Sequence, residues 1–121
     1  MPKKLLIVED EAPLLETISK ILSQNYQVIQ ASDGSQGFNK ALVEKPDLIL
    51  LDVILPIMDG VEVLAKLRAD PWGKNVPIII LTNLMDMNIE LKSKELGVSG
   101  YYIKANLSIK NLSNEIKNIL K

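Results

Sequence analysis

Five short apolar runs alternating strictly with five helical periods predict an α/β domain, a doubly wound parallel sheet covered by helices on both faces. Two observations carry this expectation. The runs are close to continuously apolar, as strands buried on both faces must be, whereas a sheet with one wet face would alternate. The stretches between them repeat apolar residues at helical spacing, so each has one stripe to bury.

The first run, Lys4 to Val8, is followed by a helix in which Leu14, Leu15, Ile18, Ile21 and Leu22 form one stripe. Pro13 is tolerated there because an N–H in the opening turn has no intrahelical partner to lose. Tyr26 to Ala31 is the second strand and Gly34 to Glu44 the second helix. The third strand, Asp47 to Leu51, leads through a loop punctuated by Pro56 and Gly60 to a helix over Val61 to Asp70. After the fourth strand, Val76 to Leu81, the helix over Asp86 to Leu96 is the weakest, because its apolar positions scatter, and Gly97 is expected to end it. Ser99 to Ile103 is the fifth strand. The last helix puts Ile109, Leu112, Ile116, Ile119 and Leu120 on one face behind Ser108, a residue suited to cap it.

The length of 121 residues suits one domain over residues 1–121, and 47% hydrophobic against 24% charged residues is enough to build a core. No fixed-period repeat, low-complexity segment or Ser/Gly/Pro linker points to a tethered output domain. Fourteen basic and fifteen acidic residues leave a net charge of -1, so no overall field draws the chain to nucleic acid or to an anionic membrane. Without Cys there are no disulfides, thiolate metal sites or cysteine nucleophiles. Without His there is no imidazole base, no HExxH zinc site and no phosphohistidine of the chain's own. The apolar runs are far shorter than the ~18 residues of a membrane span. Glu9, Asp10 and Glu11 cut off the first run too early for a secretion signal, so the cytoplasm is the expected location.

Ligands of such sheets bind beyond the carboxyl ends of the strands, which here end in polar residues. Glu9 and Asp10 follow the first strand, Asp52 the third, Thr82 and Asn83 the fourth, and Lys104 the fifth. Any one of them alone reads as a solvated residue opening a loop. Together they bring three carboxylates to one rim, an arrangement that makes sense when a divalent cation neutralises them. Oxygen ligands without Cys or His favour magnesium or a similar hard cation. A cation, an ammonium and a hydroxyl beside one carboxylate are the parts of a phosphoryl-transfer site, with Asp52 as the nucleophile.

With the segment from Asp52 to Gly60, DVILPIMDG, the chain resembles the receiver domains of two-component response regulators, the chemotaxis-regulator fold, over essentially its whole length. The resemblance implies a flavodoxin-like sheet of order 2-1-3-4-5. It implies a phosphoacceptor at Asp52, with magnesium held by Asp10 directly, by Glu9 through water, by Asp52 itself and by the backbone carbonyl of Ile54. Thr82 matches the hydroxyl that bonds the phosphoryl group, the Asn83 amide is a second donor, and Lys104 matches the lysine that pairs with that group. Tyr101 matches the aromatic switch residue, although Tyr102 beside it blurs the assignment. The implied donor is the phosphohistidine of a sensor histidine kinase or a histidine phosphotransfer protein. The downstream partner would bind the face of helix four, strand five and helix five, where Lys92, Lys94, Lys110 and Lys117 lie. Those lysines read equally well as a solubilising surface.

Three features depart from the family's pattern. Ala105 follows the lysine where receivers usually carry Pro, so a trans peptide is expected. Asn106 and Leu107 lengthen the loop before Ser108, and Asn83 replaces a small residue. A phosphatase of the haloacid-dehalogenase type would need a carboxyl two residues after the nucleophile, where Ile54 stands. A flavin or dinucleotide binder would need a glycine loop in place of Glu9-Asp10-Glu11-Ala12-Pro13. The other alternative is a receiver-like interaction module that no longer accepts phosphate. The expected role is signalling and not metabolic catalysis. In receivers the side chains two residues after the acceptor and two after the threonine flank the path of the hydrolytic water, so the resemblance, with aliphatic Ile54 and Leu84 at those positions, implies slow self-dephosphorylation.

Overall fold

The computed structural model describes residues 2–121. Its elements follow in the order β1 (Lys4–Val8), α1 (Ala12–Leu22), β2 (Gln27–Ala31), α2 (Gly34–Glu44), β3 (Leu48–Leu51), α3 (Gly60–Ala69), β4 (Ile78–Thr82), α4 (Met87–Glu95), β5 (Gly100–Ile103), a one-turn 3-10 helix (Lys104–Asn106) and α5 (Ile109–Ile119). Every predicted strand and helix is present. Their ends move by one or two residues where the backbone dictates it. Pro77, for example, has no N–H for the ladder, and β4 begins after it.

The strands form one parallel sheet of order β2-β1-β3-β4-β5. Because the order reverses between β1 and β3, helices cover both faces. Leu5, Ile7, Leu48, Leu50, Ile79 and Leu81 face α1 and α5, packing with Leu15, Ile18, Leu22, Leu112 and Ile116. The alternate residues Leu6, Val8, Ile49, Leu51, Ile78 and Ile80 pack with Ala41 of α2 and Val63, Leu64 and Leu67 of α3. This two-sided burial is why the strands read as continuous apolar runs.

Helix α4 is anchored unevenly. Only Ser93 of its residues is buried, and Met85 and Met87 at its start are 81% and 77% exposed. Its far end is held by Arg68 of α3, which donates to the carbonyls of Leu96 (2.6 Å) and Gly97 (3.1 Å) and to those of Gly73 and Val76 (both 2.8 Å). Burial lowers the pKa of that guanidinium from the ordinary arginine value. Carbonyls at a helix C-terminus carry partial negative charge and suit such a partner. Among the described residues no helix is long and apolar enough to cross a membrane.

Candidate functional site

The register of the sheet assembles the site at its carboxyl edge. Val8 of β1 pairs with Leu51 of β3, so Glu9 and Asp52 emerge side by side one residue further on. The ladder reaches into the site, with the Asp52 N–H donating to the Val8 carbonyl (3.1 Å) and the Glu9 N–H to that of Ala31 (2.9 Å). On the other side Thr82 pairs with Ile103, which delivers Lys104 next to β4. Glu9, Asp52 and Thr82 are 2%, 4% and 0% exposed, whereas Asp10 and Asn83 are exposed.

Lys104 closes the cluster. Its Nζ lies 2.6 Å from Asp52 Oδ2, 2.7 Å from Glu9 Oε1 and 3.3 Å from Glu11 Oε2. Burial opposes its charge, but the hydrogen bonds and charges of Asp52 and Glu9 outweigh this and hold its pKa above the ordinary lysine value. Glu9 is pushed above the usual carboxylate value by burial, and also by the Asp52 charge. The hydrogen bonds it accepts from Lys104 and from the Glu11 N–H act the other way. The longer loop before α5 is taken up by the 3-10 turn, and Lys104 still reaches Asp52.

Carboxylate oxygens of Glu9, Asp10 and Asp52 lie within 4.8 Å of one another. With Glu11, which also reaches Lys104, four carboxylates against one ammonium leave three negative charges, and the donors are all oxygen. That set fits a hard divalent cation such as magnesium and offers nothing to a soft one.

The loop behind Asp52 is tightly built. Gly60 stands against the Asp52 carbonyl, where a Cβ would clash with backbone, and its N–H donates to Val53 O (2.7 Å). Asp59 caps α3 by accepting from the Glu62 N–H (3.0 Å), and the Ile54 N–H donates to Asp52 Oδ1 (3.1 Å). Ile57 adopts φ 71°, a left-handed conformation that is costly for a β-branched residue, and is 82% exposed.

Thr82 and Asn83 also fall on this edge. Thr82 Oγ1 accepts from the Leu84 N–H (3.2 Å), and Asn83 Oδ1 accepts from the Ala105 N–H (2.9 Å). No cis peptide bond occurs among the described residues, so Lys104 and Ala105 are joined by the expected trans peptide. The two tyrosines separate by face. Tyr101 packs on the α2 and α3 side and its hydroxyl donates to Leu84 O (3.0 Å), while Tyr102 packs on the α1 and α5 side. Burial raises the Tyr101 pKa, with smaller contributions from Glu90, Asp86 and Asp52. Ile54 and Leu84 line one cleft of about 420 Å³, together with Val53, Asp59, Ile89 and Lys92. Sequence reasoning missed Glu11 as a partner of Lys104, the Arg68 contacts and the meeting of Asn83 with Ala105. Each depends on chain segments brought together only by folding.

The fold and this rim define an α/β domain with a cluster of acidic residues at the carboxyl edge of its sheet. The chain belongs to the response regulator receiver domain family, whose model matches residues 5–117. It is 38% identical over 122 residues to the alkaline phosphatase synthesis transcriptional regulatory protein PhoP of Bacillus subtilis, covering 100% of this chain and 50% of that protein. It is 33% identical over 105 residues to sporulation initiation phosphotransferase F of the same organism, covering 86% of this chain and 83% of that protein. Among solved structures, a CheY-like receiver domain protein from Methanospirillum hungatei superposes with a TM-score of 0.90 at 28% identity, covering 98% of this chain and 93% of that one. The chain spans about half the length, or less, of the first curated relatives it matches. Receiver domains are the regulatory switches of two-component systems, phosphorylated on an aspartate by histidine kinases.

Proposed function

We propose that residues 1–121 form one receiver domain in which Asp52 accepts the phosphoryl group, in a magnesium-dependent reaction, from the phosphohistidine of a sensor kinase or histidine phosphotransfer protein. The observation that carries this reading is the Lys104 bridge between Asp52 and Glu9 within a three-carboxylate cluster. An aspartate that only stabilised the fold would need neither the two further acids nor an exposed rim.

Each residue then has a task. Asp10 and Asp52 would hold the magnesium together with the Ile54 carbonyl, and Glu9 would contribute through water. Magnesium at this place offsets charge on the phosphoryl oxygens and on the three acids. Thr82 keeps accepting from the Leu84 N–H while its hydroxyl hydrogen is donated to the phosphoryl oxygens, Asn83 adds its amide, and Lys104 pairs with the new anion. The chain works as a switch in a cytoplasmic phosphorelay and not as a metabolic enzyme, and its net charge gives no support to direct nucleic-acid or membrane binding.

The output is a shift of Tyr101 and α4. The link is physical, since the Tyr101 hydroxyl is bonded to the Leu84 carbonyl, and the Leu84 N–H to Thr82. A phosphoryl group that draws Thr82 toward Asp52 pulls on that short loop, and α4, anchored mainly at its far end, is free to follow. The surface altered is that of α4, β5 and α5, the proposed docking face of the downstream protein. Adding beryllofluoride and magnesium should shift amide resonances at the rim, at Tyr101 and along α4. Shifts confined to the rim would contradict a switch, and no shifts at all would contradict the phosphoacceptor.

A further inference from the structure

The residue after Thr82 is bonded to the residue after Lys104. Ala105 offers only an N–H, so its partner on Asn83 has to be the carbonyl oxygen, at 2.9 Å. The ladder of β4 and β5 ends at the pair Thr82 and Ile103. The bond from Ala105 to Asn83 carries the cross-link one step beyond the sheet, with a side chain standing in for a strand. It falls where the backbone has no other support, because an N–H in the opening turn of a helix has no intrahelical acceptor. Both residues are exposed, so the bond adds nothing to the core. What it does fix is the start of the turn whose first residue is Lys104, and the Leu107 N–H closes that turn on the Lys104 carbonyl (3.1 Å).

We infer that Asn83 is a positioning residue, whose Oδ1 ties the Lys104 turn to the end of β4 and so sets the distance between the Lys104 ammonium and the Thr82 hydroxyl. The inference rests on the phosphoryl-accepting reading above, and it gives the larger share of the Asn83 effect to the carbonyl oxygen and not to the amide nitrogen. A neutral hydrogen bond of this kind corresponds to a change of about fivefold in a rate or an equilibrium.

Two measurements test it. In the unphosphorylated protein, hydrogen exchange of the Ala105 amide should accelerate about fivefold in Asn83→Ala and stay slow in Asn83→Asp, which keeps an acceptor oxygen. Initial rates of phosphorylation by acetyl phosphate should fall about fivefold in Asn83→Ala, yet change less than about twofold when Asn83→Ala is added to Lys104→Ala, because the effect runs through the lysine. Unchanged Ala105 exchange in Asn83→Ala would overturn the latch. An equal loss of rate in both backgrounds would overturn the positioning role and leave Asn83 a direct phosphoryl contact. A parent protein that takes up no phosphoryl group would contradict the proposed function instead, and the exchange result would then decide the latch alone.

Discussion

Lys104 Nζ is 2.6 Å from Asp52 Oδ2, and the same nitrogen is 2.7 Å from Glu9 Oε1, so one buried ammonium serves two buried carboxylates from different strands. Removing it strands both charges in a site where neither side chain is more than 4% exposed. Lys104→Ala should therefore cost about 2 kcal/mol of stability at neutral pH, below the full penalty of a broken interior pair because the rim opens to water. The sign of the pH dependence follows from Glu9, whose pKa is already raised by burial and loses the Lys104 bond that holds it down. A carboxylate with a folded pKa above its unfolded value loses stability as pH rises through that window. The deficit of the variant should grow from about pH 4 toward neutrality. Urea unfolding at several pH values checks this, and a deficit independent of pH would contradict it.

Magnesium should stabilise the parent by mass action, by about 2.7 kcal/mol at a concentration one hundred times its dissociation constant. Asp10→Ala should abolish most of that gain at little cost of its own, because Asp10 is exposed whereas Glu9 and Asp52 are buried. Thermal unfolding with and without the ion provides the readout. A variant that gains as much as the parent would place the metal elsewhere.

Ile57 is held at φ 71° while 82% exposed, so its side chain contributes little packing to offset the strain. Ile57→Gly should stabilise the protein by about 1 kcal/mol, the relief of the left-handed penalty less the extra entropy of glycine in the unfolded chain. An unchanged or lower urea midpoint would show that the loop does not store this strain.

That loop marks the boundary of what the sequence could tell. Continuous apolar strands and one-sided helices such as that of Leu15, Ile18 and Leu22 are dictated by burial, and burial is written in residue type. The acids, Thr82 and Lys104 were legible as a group because a parallel sheet delivers every strand's end to one edge. A positive φ at Ile57 contradicts local preference and is imposed by the packing of Pro56 to Gly60 behind Asp52. The bond between Asn83 and Ala105 was beyond reach for a different reason. Each residue alone reads only as a departure from the family's pattern, and their meeting depends on the register of β4 and β5, which no local pattern encodes.

The lifetime of the phosphorylated state should be long. Ile54 and Leu84, two residues after Asp52 and Thr82, line one cleft, and as aliphatic side chains neither can activate a water. Decay of the phosphorylated parent should take minutes or longer, with Ile54→Asn and Leu84→Glu each faster by about three- to tenfold, well below the ~10²–10⁴-fold of a positioned acid or base because neither new side chain is held in place by partners. Decay of the parent within seconds, or variants that match it, would mean that these side chains do not control access.

The central claim is that Asp52 is the phosphoacceptor, and intact-mass spectrometry after incubation with acetyl phosphate and magnesium tests it most directly. The parent should gain the mass of one phosphoryl group, and Asp52→Asn should gain none, even though Glu9 and Asp10 remain within the same cluster. Chelating the magnesium should leave the parent unmodified as well. A phosphoryl adduct that persists in Asp52→Asn at the parent's level would contradict the assignment.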